Sequence, residues 1–197
     1  MKELFHVLIE KPLRSISYFS FFELINYAFS FLYSKLFLDA RVFILHPFIL
    51  RNKYSIIFHG NFFAKSGLYL EPHIGAQILF GSGVILNRNC YITATSRVSI
   101  GNDCLIGPNV FISDHDHGSY KGPNSSTFLS HPPQKRLLVS SPIIIMDRVW
   151  IGANVCILKG VTIGENTVIG ANSVVSRSLP PNSVCAGSPC KVVYSVC

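Results

Sequence analysis

No two of the six cysteines form a CxxC pair, which leaves no vicinal redox or zinc-ribbon spacing. Cys90, Cys104 and Cys156 instead fall where small apolar side chains recur, so they read as reduced core thiols of a cytosolic protein. No run of basic residues occurs either, although 17 Lys and Arg face 10 Asp and Glu for a net charge of +7. Spread positive charge suits anionic ligands or a membrane surface rather than nucleic acid. No signal-peptidase-like site closes the apolar N-terminal stretch, and Glu3 and Glu10 suit a secretory signal poorly.

What is present is a six-residue beat. Ile145, Ile151, Ile157, Ile163, Ile169 and Val175 are evenly spaced, with Val149, Val155, Val161, Thr167 and Ser173 four positions after the first five. No helix repeats at six and an alternating strand repeats at two, so this period fits a chain that turns a corner after each short strand. The beat appears earlier as Ile74, Phe80, Leu86, Ile92 and Val98, then shifts by two residues to Ile100, Ile106 and Ile112. The slip at 97–99 reads as a corner insertion. Residues 113–142 break the period and carry Gly, Pro and Ser, as a long loop extruded from one coil does. Stacked coils bury one continuous core, which a lone coil cannot do.

A solenoid needs its ends covered. Phe5 to Leu38 is rich in aromatic and aliphatic residues and nearly free of Gly and Pro, so it reads as helix. Glu23 is the only charge between Ser15 and Ser34. A glutamate near the middle of a span costs about 2–3 kcal/mol, which favours a cap-packing or membrane-surface helix over a true span. The expected division is a helical cap region over 1–60 and a solenoid over 61–197, closed by 180–197.

The stretch Ile151-Gly-Ala-Asn-Val-Cys-Ile-Leu-Lys-Gly-Val-Thr-Ile-Gly-Glu-Asn-Thr-Val-Ile-Gly-Ala-Asn-Ser-Val-Val175 resembles the repeat of hexapeptide acyltransferases. Residues 180–193 resemble their closing motif, and Ser113-Asp-His-Asp-His-Gly118 opens the loop where that family keeps its catalytic histidine. The closest likeness is to the branch acetylating sugars and surface polysaccharides. The resemblance covers about 120 residues, 74–193, and leaves the first 60 or so outside it. It implies a mainly β fold, a left-handed parallel β-helix solenoid, although the general crossover rule favours the right hand. It further implies a homotrimer with sites between subunits, acetyl-CoA as co-substrate, no metal, and a carbohydrate acceptor.

Acetyl transfer from a thioester to a hydroxyl needs a base and a donor for the developing oxyanion. His115 is the expected base, since the regular coil gives way to the loop just after Ile112; an imidazole suits that task at neutral pH. His117 competes for the role and is otherwise expected at the substrate, and Asp114 or Asp116 could orient either ring. Asn87 is expected at the acceptor. Thr95 stands where the galactoside type carries an aspartate, which weakens the case for a simple galactoside. Trp150, the only tryptophan, suits a platform for the acceptor or pantetheine. The resemblance places the oxyanion donor at the Ala153 N–H, with Gly152, Gly170 and Ala171 along the pantetheine. It places Ser176, Arg177 and Lys191 near the CoA phosphates.

Other readings remain. A carbonic-anhydrase-type zinc site needs three converging histidines, and the repeats after Ile100 hold none outside the loop. A non-catalytic scaffold would not need His115 and Trp150. An antibiotic is an alternative small acceptor. Lipid-linked glycans at the inner membrane face would give the aromatic N-terminal segment a peripheral membrane role in a cytoplasmic protein.

Overall fold

The computed structural model describes residues 20–120 and 131–195. Short strands wind through three sheets of eight, six and five strands, and apart from an antiparallel closing hairpin each strand pairs in parallel with the one a coil away. One complete coil runs through Val84–Leu86, Tyr91–Ala94 and Arg97–Ile100. The next runs through Leu105–Ile106 and Phe111–Ser113, then reaches Ile143–Ile145 after the excursion. The expected mainly β solenoid is what the chain forms.

The core is the column of inward side chains. Phe80, Leu86, Ile92, Ile106, Ile112, Ile151, Ile157 and Ile163 are all fully buried. Their companions Cys90, Cys104, Val149, Val155 and Val161 are buried beside them, so both positions of the beat point inward. Corners are made by residues with positive φ: Asn89, Asn109, Asn154 and Asn172 lie at φ 57–60°. Asparagine tolerates that left-handed region. Each of the first three also donates its amide N–H to the next one's Oδ1, at 3.2, 3.0 and 3.0 Å.

Three expectations change. The solenoid begins at Val42–Ile44, inside the stretch 1–60 assigned to the cap, because Val42, Phe43 and Ile44 pair in register with Phe62, Phe63 and Ala64. Phe- and Ile-rich strands without corner glycines hide in an apolar segment. Ile74 is fully exposed rather than inward. The backbone turns there, with Ala76 N–H donating to His73 O and Gly75 at φ 83°, so Ala76 and Ile78 take the inward places. The slip lies at Thr95–Ser96, since Arg97–Ile100 is regular strand.

The N-terminal helix spans Phe21–Phe37. Ser20 and Glu23 form its capping box: the Ser20 hydroxyl accepts the Glu23 N–H, and the glutamate accepts the Ser20 N–H at 2.9 Å. Residues 5–19 of the expected helix lie outside the described residues. At the other end, Ser183–Ala186 pairs antiparallel with Lys191–Ser195, which closes the last coil.

Candidate functional site

The excursion leaves from the corner after Phe111–Ser113 and returns at Ile143. Its stem is a two-stranded ribbon in which His115, Asp116 and His117 pair antiparallel with Ser140, Val139 and Leu138. Alternation along a strand sends His115 and His117 to one face and Asp116 to the other. Asp116 meets Lys159 at 2.9 Å, and Lys159 also donates to the Val139 carbonyl at 3.0 Å. That pair fixes the ribbon to the coil above it.

His115, Asp116 and His117 line a cleft of about 730 Å³ with Glu71, His73, Tyr91, Thr93, Phe111, Ser113, Tyr120, Leu138 and Leu158. The His115 ring is 5.6 Å from the His73 ring and 6.3 Å from the His117 ring, centroid to centroid. The Tyr120 hydroxyl donates to the His117 carbonyl. Residues 121–130 of the expected loop lie outside the described residues.

Asp114 is the organiser. Its side chain is completely buried, and its carboxylate accepts four backbone or ring donors. Oδ1 takes the Thr95 N–H at 2.8 Å and lies 3.2 Å from His115 Nδ1. Oδ2 takes the Ser96 and Arg97 N–H groups, both at 2.8 Å. A buried carboxylate is tolerable only with such a set of donors. The corner insertion at Thr95–Ser96 supplies them. Thr95 thus donates to a carboxylate instead of presenting one.

His115 Nδ1 lies beside both Asp114 and the Ser113 hydroxyl, at 3.2 and 3.4 Å, which leaves Nε2 as the ring's other nitrogen; the side chain is 11% exposed. His117 is the more exposed of the two. Further down the same sheet face, Tyr69, Tyr91 and Phe111 stack one coil apart, with ring centroids 4.6 and 5.5 Å from each other. The Tyr91 hydroxyl donates to Glu71 at 3.1 Å. Burial, that hydrogen bond and the Glu71 charge push the Tyr91 phenol up to about 12, so it stays a donor.

The other expected site residues sit at a different corner. Asn87, Gly152, Ala153, Gly170 and Ala171 stack where the eight-stranded sheet turns into the six-stranded one. The Asn87 amide donates to the Ile106 carbonyl at 3.0 Å. Trp150 is half exposed on the eight-stranded sheet, in register between Leu105 and Val168. Gly152 is small because of stacking: a Cβ there would meet Ala171 N at 2.7 Å and Ile169 O at 2.8 Å. Ser176 and Arg177 lie on the histidine side, after Val174–Val175, and Lys191 begins the closing strand. The histidine corner and the corner holding Asn87, Gly152 and Ala153 therefore lie at opposite ends of the six-stranded sheet's strands. No group of three metal-ligating side chains occurs among the described residues.

Sequence reasoning named neither His73, Glu71, Tyr91, Phe111 nor Lys159. For Tyr91 and Phe111 the linear signal is recurrence of aromatic residues one coil apart, as the Tyr69–Tyr91–Phe111 register displays.

The description "bacterial transferase hexapeptide (six repeats)" matches residues 142–177, and "hexapeptide repeat of succinyl-transferase" matches residues 97–113. The chain is 43% identical over 147 residues to WbbJ of Escherichia coli K12, a protein provisionally named a lipopolysaccharide biosynthesis O-acetyl transferase. The match covers 75% of each chain. Identity to the galactoside O-acetyltransferase of the same bacterium is 37% over 158 residues, 77% of this chain and 72% of that one. A solved hexapeptide-repeat acetyltransferase of Vibrio cholerae, complexed with acetyl-CoA, superposes at TM-score 0.54 with 26% identity, over 90% of this chain and 80% of that one.

Proposed function

This chain belongs to the hexapeptide-repeat acetyltransferases and is an acetyl-CoA-dependent acyltransferase; from that premise we propose that it O-acetylates a sugar hydroxyl of a surface polysaccharide or its precursor. The observation that carries the reading is the buried Asp114 carboxylate 3.2 Å from His115 Nδ1 at the wall of the cleft. Nδ1–H donating to Asp114 leaves Nε2 as a lone-pair base facing the acceptor. The acceptor oxygen attacks the thioester carbonyl as its proton passes to Nε2. The C–S bond then breaks, and the imidazolium returns the proton to the departing CoA thiolate.

The oxyanion donor in this reading is the Ala153 N–H of a neighbouring subunit. The separation of the histidine and glycine corners on one chain supports a site completed by a second copy, and three copies around an axis would bring each histidine corner against a glycine corner. Gly152, Gly170 and Ala171 would border the pantetheine there. Ser176, Arg177 and Lys191 would meet the phosphates, where cations offset anionic charge. Asn87 and Trp150 would face the acceptor from that same neighbour. No metal enters the scheme.

The kinship with WbbJ favours a polysaccharide-linked acceptor, and a chain that uses such an acceptor would work at the cytoplasmic face of the membrane. A second reading gives the base role to His117, because it is the more exposed cleft histidine and stands one alternate position along the same strand. Acceptor-dependent CoA release from wild type, His115→Ala and His117→Ala separates the two. An antibiotic acceptor predicts release with the drug and none with glycans; a scaffold predicts no release with any acceptor.

A further inference from the structure

The helix Phe21–Phe37 docks with polar residues at the centre of its contact, flanked by rings: Tyr27 and Phe31 pack against Phe43, and Tyr33 against His46 and Phe48. Ser30 and Ser34 are buried against the first coil. The Ser30 hydroxyl accepts the His46 N–H at 3.0 Å and lies 3.2 Å from His46 Nδ1. The Asn26 amide donates to the His46 carbonyl at 2.9 Å, and Ser34 Oγ accepts the Ile44 N–H at 3.3 Å. The outward face holds Phe22, Ile25, Phe29, Leu32 and Leu36 at intervals of three and four residues, with Phe29 at its edge, its ring 4.8 Å from that of His46. All five are exposed, from 49% at Ile25 to 81% at Phe22. A helix that only seals a core turns its apolar stripe inward and its polar one to water. This helix seats serines at the centre of its contact and leaves most of its apolar residues in water, so holding the solenoid end does not account for the exposed stripe.

We propose that this stripe is a docking surface for an anionic lipid bilayer, with the helix lying in the interface plane. The inference stands apart from the identity of the acceptor. The charges around the stripe favour lipid over a second protein surface. Lys35 Nζ sits 5.0 Å from the centre of the Phe31 ring, and Lys53 Nζ sits 5.4 Å from that of exposed Tyr54. Ammonium groups at the margin of apolar rings suit a headgroup layer, where the stems rest on apolar surface and the charges meet phosphate. Lys53 and Tyr54 also line the groove that continues from Phe37 around the end of the solenoid. Glu23, the one acidic residue of the helix, is engaged in the capping box. Among the described residues no helix is long and apolar enough to cross a bilayer, so the helix would lie on the surface.

Co-sedimentation of the full chain with phosphatidylglycerol or phosphatidylcholine vesicles at about 0.1 M salt tests this. The expected result is roughly tenfold or greater preference for phosphatidylglycerol, weakened by added salt. The triple substitution Phe22→Ser, Leu32→Ser, Leu36→Ser should lower binding by roughly tenfold or more while far-UV circular dichroism and acetyl-CoA affinity stay unchanged. Should that variant fold poorly, Lys35→Glu with Lys53→Glu leaves the stripe intact and should also weaken binding to phosphatidylglycerol. Wild type remaining in the supernatant overturns the proposal, as does a well-folded triple variant that binds as well as wild type. A stripe that only holds copies together, seen as a smaller mass of the triple variant without any vesicle binding by wild type, assigns it to a second copy and likewise overturns it.

Discussion

Asp114 Oδ1 lies 3.2 Å from His115 Nδ1, while the same carboxylate gathers the N–H groups of Thr95, Ser96 and Arg97 at 2.8 Å each. One buried side chain thus shapes the corner insertion and aims the imidazole. Asp114→Asn replaces an acceptor oxygen with an NH₂ group that faces backbone donors. Each buried donor left unsatisfied costs about 1–3 kcal/mol. Urea unfolding should show a loss in that range, and kcat should fall on the order of a hundredfold because the ring is displaced. Wild-type kcat in this variant would remove Asp114 from the site.

The column of inward rings sets the stability of the first coils. Phe80 is fully buried, with ring centroids 5.4 Å from Phe58 and 4.7 Å from Phe62. Phe80→Ala should cost about 3–5 kcal/mol in denaturant unfolding, through lost transfer energy and the cavity left behind. Phe111→Ala, on the outward side of its strand, should cost far less.

Gly152 separates two explanations of smallness. If coil stacking alone demands glycine, Gly152→Ala destabilises the protein in the absence of any ligand, because its Cβ would fall 2.7 Å from Ala171 N. Overpacking of this kind costs about 1–3 kcal/mol. A normal melting temperature for the free protein, with only CoA affinity reduced, would instead tie the glycine to the ligand.

Buried thiols make the fold sensitive to alkali. Burial pushes the Cys90 and Cys104 thiols from 9.0 up to about 11. Raised pKa values mean that the native state keeps protons which the unfolded state releases first. Stability is therefore full below about pH 9 and declines as pH rises toward about 11. Unfolding free energies measured across pH 8–11 should fall, and Cys90→Ala with Cys104→Ala should flatten the decline. Tyr91, raised to about 12, adds to the same slope from its own ordinary value upward.

The C-terminal coils were legible because Ile145 to Val175 repeats without insertions, so period alone reveals the inward side. The first coils were not. Tyr69 and Tyr91 share a register across a longer coil than Trp150 and Val168 do, and a six-residue template therefore drifts. That drift put Ile74 in the core, although it stands fully exposed on a turn. The cap boundary failed for a related reason: Val42–Ile44 is apolar like the helix before it, and only pairing with Phe62–Ala64 marks it as strand. Within the site, His115 and His117 were legible from the loop entry. His73 and Glu71 were not, because they reach the cleft from other coils. The stretch read as an apolar helix was partly recovered as Phe21–Phe37, yet no sequence pattern announced that Ser30 and Ser34 would be its docked side.

The central claim is acetyl transfer with a cleft histidine as base. Its most direct test is free CoA released from acetyl-CoA against a panel of sugars, glycolipids and surface polysaccharides, with wild type, His115→Ala and His117→Ala side by side. The account predicts acceptor-dependent release that falls by about a hundredfold or more in His115→Ala. Release that survives in His115→Ala and collapses in His117→Ala would move the base to the second histidine. Release indifferent to both substitutions, or absent with every acceptor, would contradict the account.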